Sequence, residues 1–174
     1  CNNGKGEYKF KNGVYTGQFL NGQLNGQGTF SNKKGYSYTG KWEEGLKSGT
    51  GTEIIKRQHI YEGEFSENLK HGQGSARFRD TKHTQDIVYS GQWVNGAVCG
   101  EGELTYSMVV KRDREKVIEK HQLIGSFING VYQGRLTSYT DELAWKAFDL
   151  KMENFQGHST LTKREHKRLK NPAK

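Results

Sequence analysis

Five Gly-x-Gly pairs are the first features of this sequence that could do chemistry: Gly4-Lys-Gly6, Gly26-Gln-Gly28, Gly49-Thr-Gly51, Gly72-Gln-Gly74 and Gly100-Glu-Gly102. Glycines let backbone N–H groups approach a phosphate. A phosphate site also needs a G-x-G-x-x-G run that opens a helix, or a G-K-[ST] after the turn, and the sequence has neither. The six histidines (His59, His71, His83, His121, His158, His166) fall in no zinc-ligand spacing. Cys1 and Cys99 are too few to staple a small fold and lack metal-site spacing. Nothing near Cys99 in sequence would favour its reactive thiolate. Both it and His71 directly precede a Gly-x-Gly pair, where a variable strand position explains them. Glu43-Glu44 and Asp141-Glu142 sit at turns and read as solvating pairs. No catalytic, metal or cofactor residues are expected, and no enzyme activity.

The elements that position these residues follow from composition and period. The chain has 174 residues, 23 Gly, one Pro, a net charge of +8, and 34 Leu, Ile, Val and Phe together. So few aliphatics with so much charge would suggest disorder, but 9 Tyr, 8 Phe and 3 Trp argue for a folded chain. No apolar run approaches the roughly 18 residues of a membrane-spanning helix. Burial must rest on aromatic rings and glycine.

Self-comparison explains how. Tyr15-Thr-Gly17-Gln-Phe19 is followed by Asn21-Gly22 and Gly26-Gln-Gly28. The same order recurs from Tyr38-Thr-Gly40-Lys-Trp42, Tyr61-Glu-Gly63-Glu-Phe65 and Tyr89-Ser-Gly91-Gln-Trp93, and more loosely from Leu123-Ile-Gly125-Ser-Phe127. The template is Y-x-G-x-[FW]-x-x-G-x-x-x-G-x-G, and successive copies start 23, 23, 28 and 34 residues apart. Gly4-Lys-Gly6-Glu-Tyr8 is the tail of an earlier copy, so the chain opens in mid-repeat and reads as a fragment.

Tyr, Gly and Phe/Trp at offsets 0, 2 and 4 share one face of a strand, with the glycine leaving room for a ring over bare backbone. Asn21-Gly22, Asn95-Gly96 and Asn129-Gly130 suit two-residue type I′ hairpin turns, and Asn68 tolerates the same geometry. The Gly-x-Gly pair then lies on the returning strand with both glycines expected on one face. Asn12-Gly13 and Lys34-Gly35 read as turns between copies. The expected fold is all-β: an elongated antiparallel meander of stacked hairpins, curled into a trough by strand twist.

This pattern resembles the MORN (membrane occupation and recognition nexus) repeat family, through the four Tyr-x-Gly-x-Phe/Trp units and the glycine pairs after them. The resemblance implies a non-catalytic binding and scaffolding module, such as a component of a cytoskeletal, axonemal or radial-spoke assembly. Its partner would be a protein helix or extended segment in the trough, whose floor would be Tyr15, Phe19, Tyr38, Trp42, Tyr61, Phe65, Tyr89 and Trp93. The alternative for these rings is that they are simply the core. Alternative functions are a tether to anionic phospholipid and the regulatory region of a larger enzyme. Localisation is expected to be cytoplasmic and cytoskeleton- or cilium-associated, or membrane-proximal on the tether reading. Nucleic acid is not an expected partner. Within the repeat body Lys41, Lys47 and Lys70 are interspersed with Glu43, Glu44, Glu62 and Glu64, a mixed surface without a basic stripe.

The array is assigned to residues 1–140, with a truncated copy at 1–14 and copies from about 15, 38, 61, 89 and 123. Residues 141–161 form a degenerate repeat or cap, and 162–174 a short basic helix or tail carrying +5 of the net charge. In that tail Lys163, Arg164, Lys167, Arg168 and Lys170 are candidates for contact with an acidic partner. The connection from Met108 to Gln122 alternates apolar and polar residues around Asp113-Arg114. It reads as a protruding hairpin, with a short helix as the alternative and a mixed solvated surface either way.

Overall fold

The computed structural model describes residues 2–56 and 59–133. They form one open antiparallel sheet whose eleven strands pair strictly in chain order. The strands are β1 (Gly4–Phe10), β2 (Gly13–Leu20), β3 (Gln23–Ser31), β4 (Tyr36–Glu43), β5 (Leu46–Ile55), β6 (His59–Ser66), β7 (Leu69–Arg77), β8 (Thr84–Val94), β9 (Ala97–Arg112), β10 (Glu115–Ile128) and β11 (Val131–Tyr132). The meander of hairpins expected from the repeat is therefore the fold.

Each copy is one hairpin closed by two residues of positive φ, as a type I′ turn requires. These are Asn21-Gly22, Glu44-Gly45, Glu67-Asn68, Asn95-Gly96 and Asn129-Gly130. The returning turns vary in length, from two residues between β1 and β2 to six between β7 and β8. Lys11-Asn12, one residue earlier than expected, joins β1 to β2, and Gly13 already pairs with Phe10.

Ten glycines make one unbroken row across the sheet: Gly6, Gly17, Gly28, Gly40, Gly51, Gly63, Gly74, Gly91, Gly102 and Gly125, each opposite the next. Beside it each repeat tyrosine folds its ring back over two of them. A Cβ on Gly28 would lie inside the Tyr15 ring, and one on Gly51, Gly74 or Gly102 would meet Tyr38, Tyr61 or Tyr89 in the same way. The hydroxyls of Tyr15, Tyr38, Tyr61 and Tyr89 then donate to the carbonyls of Gln18, Lys41, Glu64 and Gln92, at 2.9, 3.0, 2.9 and 3.3 Å. Burial raises the Tyr15 hydroxyl to about 12 and the other three higher still, so each remains a donor.

In four of the five Gly-x-Gly pairs the two glycines do not share a face, contrary to expectation. Between Gly17 and Phe19 two steps along β2 are matched by four along β3, from Leu24 to Gly28. The first glycine of the pair sits in this bulge with positive φ: Gly26 +66°, Gly49 +56°, Gly72 +65° and Gly100 +82°. Its missing side chain points at Gln18, Lys41, Glu64 or Gln92 on the outer face, whereas the second glycine faces the tyrosine. In two copies that outer side chain satisfies the bulge, with the N–H of Gln27 donating to Gln18 and that of Gln73 to Glu64.

The Met108–Gln122 connection is the hairpin and not the helix. β9 and β10 stay in regular register out to Arg112 and Glu115, with φ positive at both Asp113 and Arg114.

If ring-over-glycine contact holds the sheet together, Gly91→Val should destabilise it by about 1–3 kcal/mol through overpacking. Its Cβ would lie 2.6 Å from Gly102 Cα and closer still to the Tyr89 hydroxyl. Thermal unfolding by circular dichroism should give a Tm several degrees lower. Ser90→Val, on the exposed face next door, should leave the Tm within about a degree or two.

Candidate functional site

All eight residues assigned to the trough floor are buried, from 0 % for Tyr15, Tyr38, Tyr61 and Tyr89 to 7 % for Phe19. The rings form one continuous edge-to-face chain, Phe19, Tyr15, Trp42, Tyr38, Phe65, Tyr61, Trp93, Tyr89 and Phe127. Neighbouring centroids lie 4.9–5.6 Å apart at 81–87°, a favoured geometry for paired rings. Each tyrosine touches the aromatic of its own copy and that of the next, so the chain welds copies together. Trp42 and Trp93 also donate their indole N–H to the carbonyls of Gly28 and Gly74 in the preceding copy. These residues are the core, the alternative weighed for them. The basic residues Lys163, Arg164, Lys167, Arg168 and Lys170 lie outside the described residues.

The hairpin tips form a second stacked row beside the rings. Beyond the bulge the tips stack on one another: the N–H of Gly45 donates to the Leu24 carbonyl, Asn68 to Lys47, Gly96 to Lys70 and Gly130 to Val98. The acceptor residues mark the ninth position after each opening tyrosine. They point inward, opposite Phe19, Trp42, Phe65 and Trp93. Their outer-face neighbours Leu20, Leu69, Val94, Ile128 and Val131 stand in solvent.

That inward position hides a charged cluster. Copies one and four place Leu24 and Val98 there, but copies two and three place Lys47 and Lys70, both buried. The two amines converge on the Glu53 carboxylate, 2.5 Å from Lys47 Nζ to Oε1 and 2.7 Å from Lys70 Nζ to Oε2. The Tyr36 hydroxyl donates to Oε1 at 2.8 Å. Lys47 lies over the rings of Tyr38 and Phe65, and Lys70 over that of Tyr61. Burial alone would raise the Glu53 carboxyl, but the ammonium groups of Lys47 and Lys70 outweigh it and hold the group near 2. Lys70 is lowered, chiefly by burial, with Glu53 offsetting part of the effect.

Lys47 and Lys70 are therefore core residues, not members of a mixed surface. The signal in the sequence was their place nine residues after the tyrosine, shared with Leu24 and Val98. Among the described residues, no group of three or more His, Cys, Asp or Glu could hold a metal ion.

An open sheet of stacked hairpins, each copy packed only on its neighbours, defines a β-hairpin repeat protein. The sequence pattern of the MORN repeat matches residues 3–14, 15–35, 38–56, 61–81 and 89–108. The chain belongs to the MORN repeat family, whose repeats are non-catalytic modules that bind proteins or membranes. Comparison with curated proteins gives no match.

The Lys47–Glu53–Lys70 cluster makes a two-part prediction. Glu53→Gln leaves two buried ammonium groups without their counter-charge and should cost about 3–5 kcal/mol in urea unfolding. The triple change Lys47→Leu, Glu53→Phe, Lys70→Val copies the residues of other repeats and should be neutral or stabilising. Because Glu53 titrates near 2 when folded and near 4.5 otherwise, the unfolded chain takes up the proton first. Its stabilising contribution should be full above about pH 5 and fade as pH falls towards 2. The triple variant should lack that part of the acid loss.

Proposed function

We propose that the chain is a scaffold or adaptor that holds partner proteins along its hairpin tips, without catalytic activity of its own. The assembly it serves is cytoskeletal, of the axonemal or radial-spoke kind, in the cytoplasm beside the cytoskeleton or a cilium. The observation that carries the reading is the row of tip residues Leu20, Leu69, Val94, Ile128 and Val131, each 44–55 % exposed on the outer face. In a chain with few aliphatic residues, placing these in water on the stacked tips is unfavourable unless something covers them. Exposed apolar residues that recur on the tips of copies three, four and five suit an interaction surface. With the aromatic rings committed to the core, recognition falls to these tips. An anionic membrane, or the catalytic part of a longer enzyme, is the alternative occupant.

The test is crosslinking capture from a ciliary or cytoskeletal extract with the chain and with its Val94→Asp, Ile128→Asp variant, alongside sedimentation with phosphatidylserine vesicles. Specific partners lost in the variant at unchanged Tm support the scaffold. Vesicle binding that disappears with removal of residues 163–174, with no tip-dependent partner, replaces it with a membrane tether.

A further inference from the structure

Beyond Ser107 and Lys120 the strands β9 and β10 leave the repeat frame and run to the Asp113-Arg114 turn as a two-stranded finger. β8 supports β9 as far as Met108, opposite Thr84, and the Val109 N–H donates to the His83 carbonyl just before β8, so among the described residues the rungs from Val110 outward project alone. Strand alternation sorts the charges of this finger between its faces. One face carries Arg112, Glu115 and Glu119; there Arg112 donates to Glu119, whose other oxygen lies 3.8 Å from His121 Nε2. The opposite face carries Lys111 opposite Lys116, Val109 opposite Ile118, and Ser107 opposite Lys120. These three rungs hold three ammonium groups and no carboxylate. The nearest acid further along that face, Glu103, accepts a hydrogen bond from Gln122. Lys111 and Lys116 face each other directly, which is unfavourable within the sheet itself. Ile118 stands 60 % exposed among the lysines. The mixed surface expected from the sequence is thus one-sided and cationic.

Among the described residues, pairing on the outer edge of β10 runs from Ile128 to Ser126, whose carbonyl accepts from the Gln133 N–H, and no strand pairs with that edge between Glu115 and Lys120. We propose that this edge docks an extended acidic segment of a partner protein, added to β10 as a further strand. Side chains alternate along such a strand. Its sequence would read acidic-x-apolar-x-acidic, with carboxylates against Lys116 and Lys120 and an apolar side chain on Ile118. Main-chain hydrogen bonds to this edge supply affinity, and the lysines fix register.

Two other occupants fit less well. A second copy paired antiparallel about Ile118 would set Lys116 against Lys120, like charge on like. A membrane would need apolar residues at the projecting end, which is Asp113-Arg114.

The inference rests on the chain being a protein-binding module but uses the end of β9 and β10 remote from the tips. The probe is a labelled strand-length peptide centred on Glu-Thr-Val-Thr-Glu, titrated by fluorescence anisotropy into the full chain, with amide hydrogen exchange read in parallel. Saturable binding is expected, with slowed exchange at residues 115–120. Lys116→Glu, Lys120→Glu should weaken it by about tenfold or more at unchanged Tm, and a peptide with Lys in place of Glu should not bind. Absence of saturable binding would overturn the docking site, as would binding without protection of β10. So would phosphatidylserine vesicles bound through the same lysines while the peptide is not. Loss of peptide binding with tip-dependent capture intact would overturn this site alone; the reverse result would overturn the tip reading alone.

Discussion

A tyrosine ring laid over two glycines is the contact on which the sheet depends. It demands bare backbone on its own strand and on the next, and in a meander that demand propagates from strand to strand into one glycine row. Once the ring is down, its hydroxyl reaches the carbonyl three residues on, and its edges meet an aromatic on either side. Burial is thereby achieved with one layer of rings and few aliphatic side chains. The fifth copy makes the dependence visible. Leu123 stands where the tyrosine should be, and Tyr132 from the returning strand supplies the ring, packing against Gly125 and donating to the Ile124 carbonyl at 3.1 Å.

The same geometry makes the array sequential. Each tyrosine bridges only to the next copy, each tip bonds only to the one before, and stability is a sum of such nearest-neighbour terms. The Lys47–Glu53–Lys70 cluster differs from the other junctions in kind. Copy two contributes one amine and the carboxylate, and copy three contributes the second amine. An apolar residue at the inward tip position, such as Leu24 or Val98, would accept any similar neighbour, whereas this junction is satisfied only by a copy that brings a lysine there. The cluster gives little net stability for the desolvation it requires; it distinguishes one pairing of copies from the others.

Most of this was legible in the sequence because the repeat states it several times over. The hairpins, the type I′ turns and the ring-over-glycine contact follow from offsets of 0, 2 and 4 and from Asn-Gly dipeptides. The bulge was not legible: both glycines of a Gly-x-Gly pair look alike, and only register separates the one that turns outward with positive φ from the one that meets the tyrosine. The buried lysines were missed because lysine beside glutamate reads as solvated surface. Their identity as tip-interior residues emerges only when copies are aligned position by position. The charge sorting on the β9–β10 finger was hidden similarly, since a net charge summed over Met108–Gln122 does not distinguish the two faces of a ribbon.

What the repeat fixes and what it leaves free then separate cleanly. Every residue of the template is engaged in holding the sheet, from the buried rings to the glycine rows, so a substitution there changes stability before it changes recognition. Side chains that alternate outward, and segments inserted between copies, carry no such duty. Along this chain they are not uniform: the copy-one and copy-two tips include Gln23 and Glu43, the later tips Val94, Ala97, Ile128 and Val131, and only the fourth junction extends into a lysine-faced ribbon. A scaffold built from near-identical hairpins acquires distinct faces only through such departures, and its partners must be read from them and not from the motif that names the family.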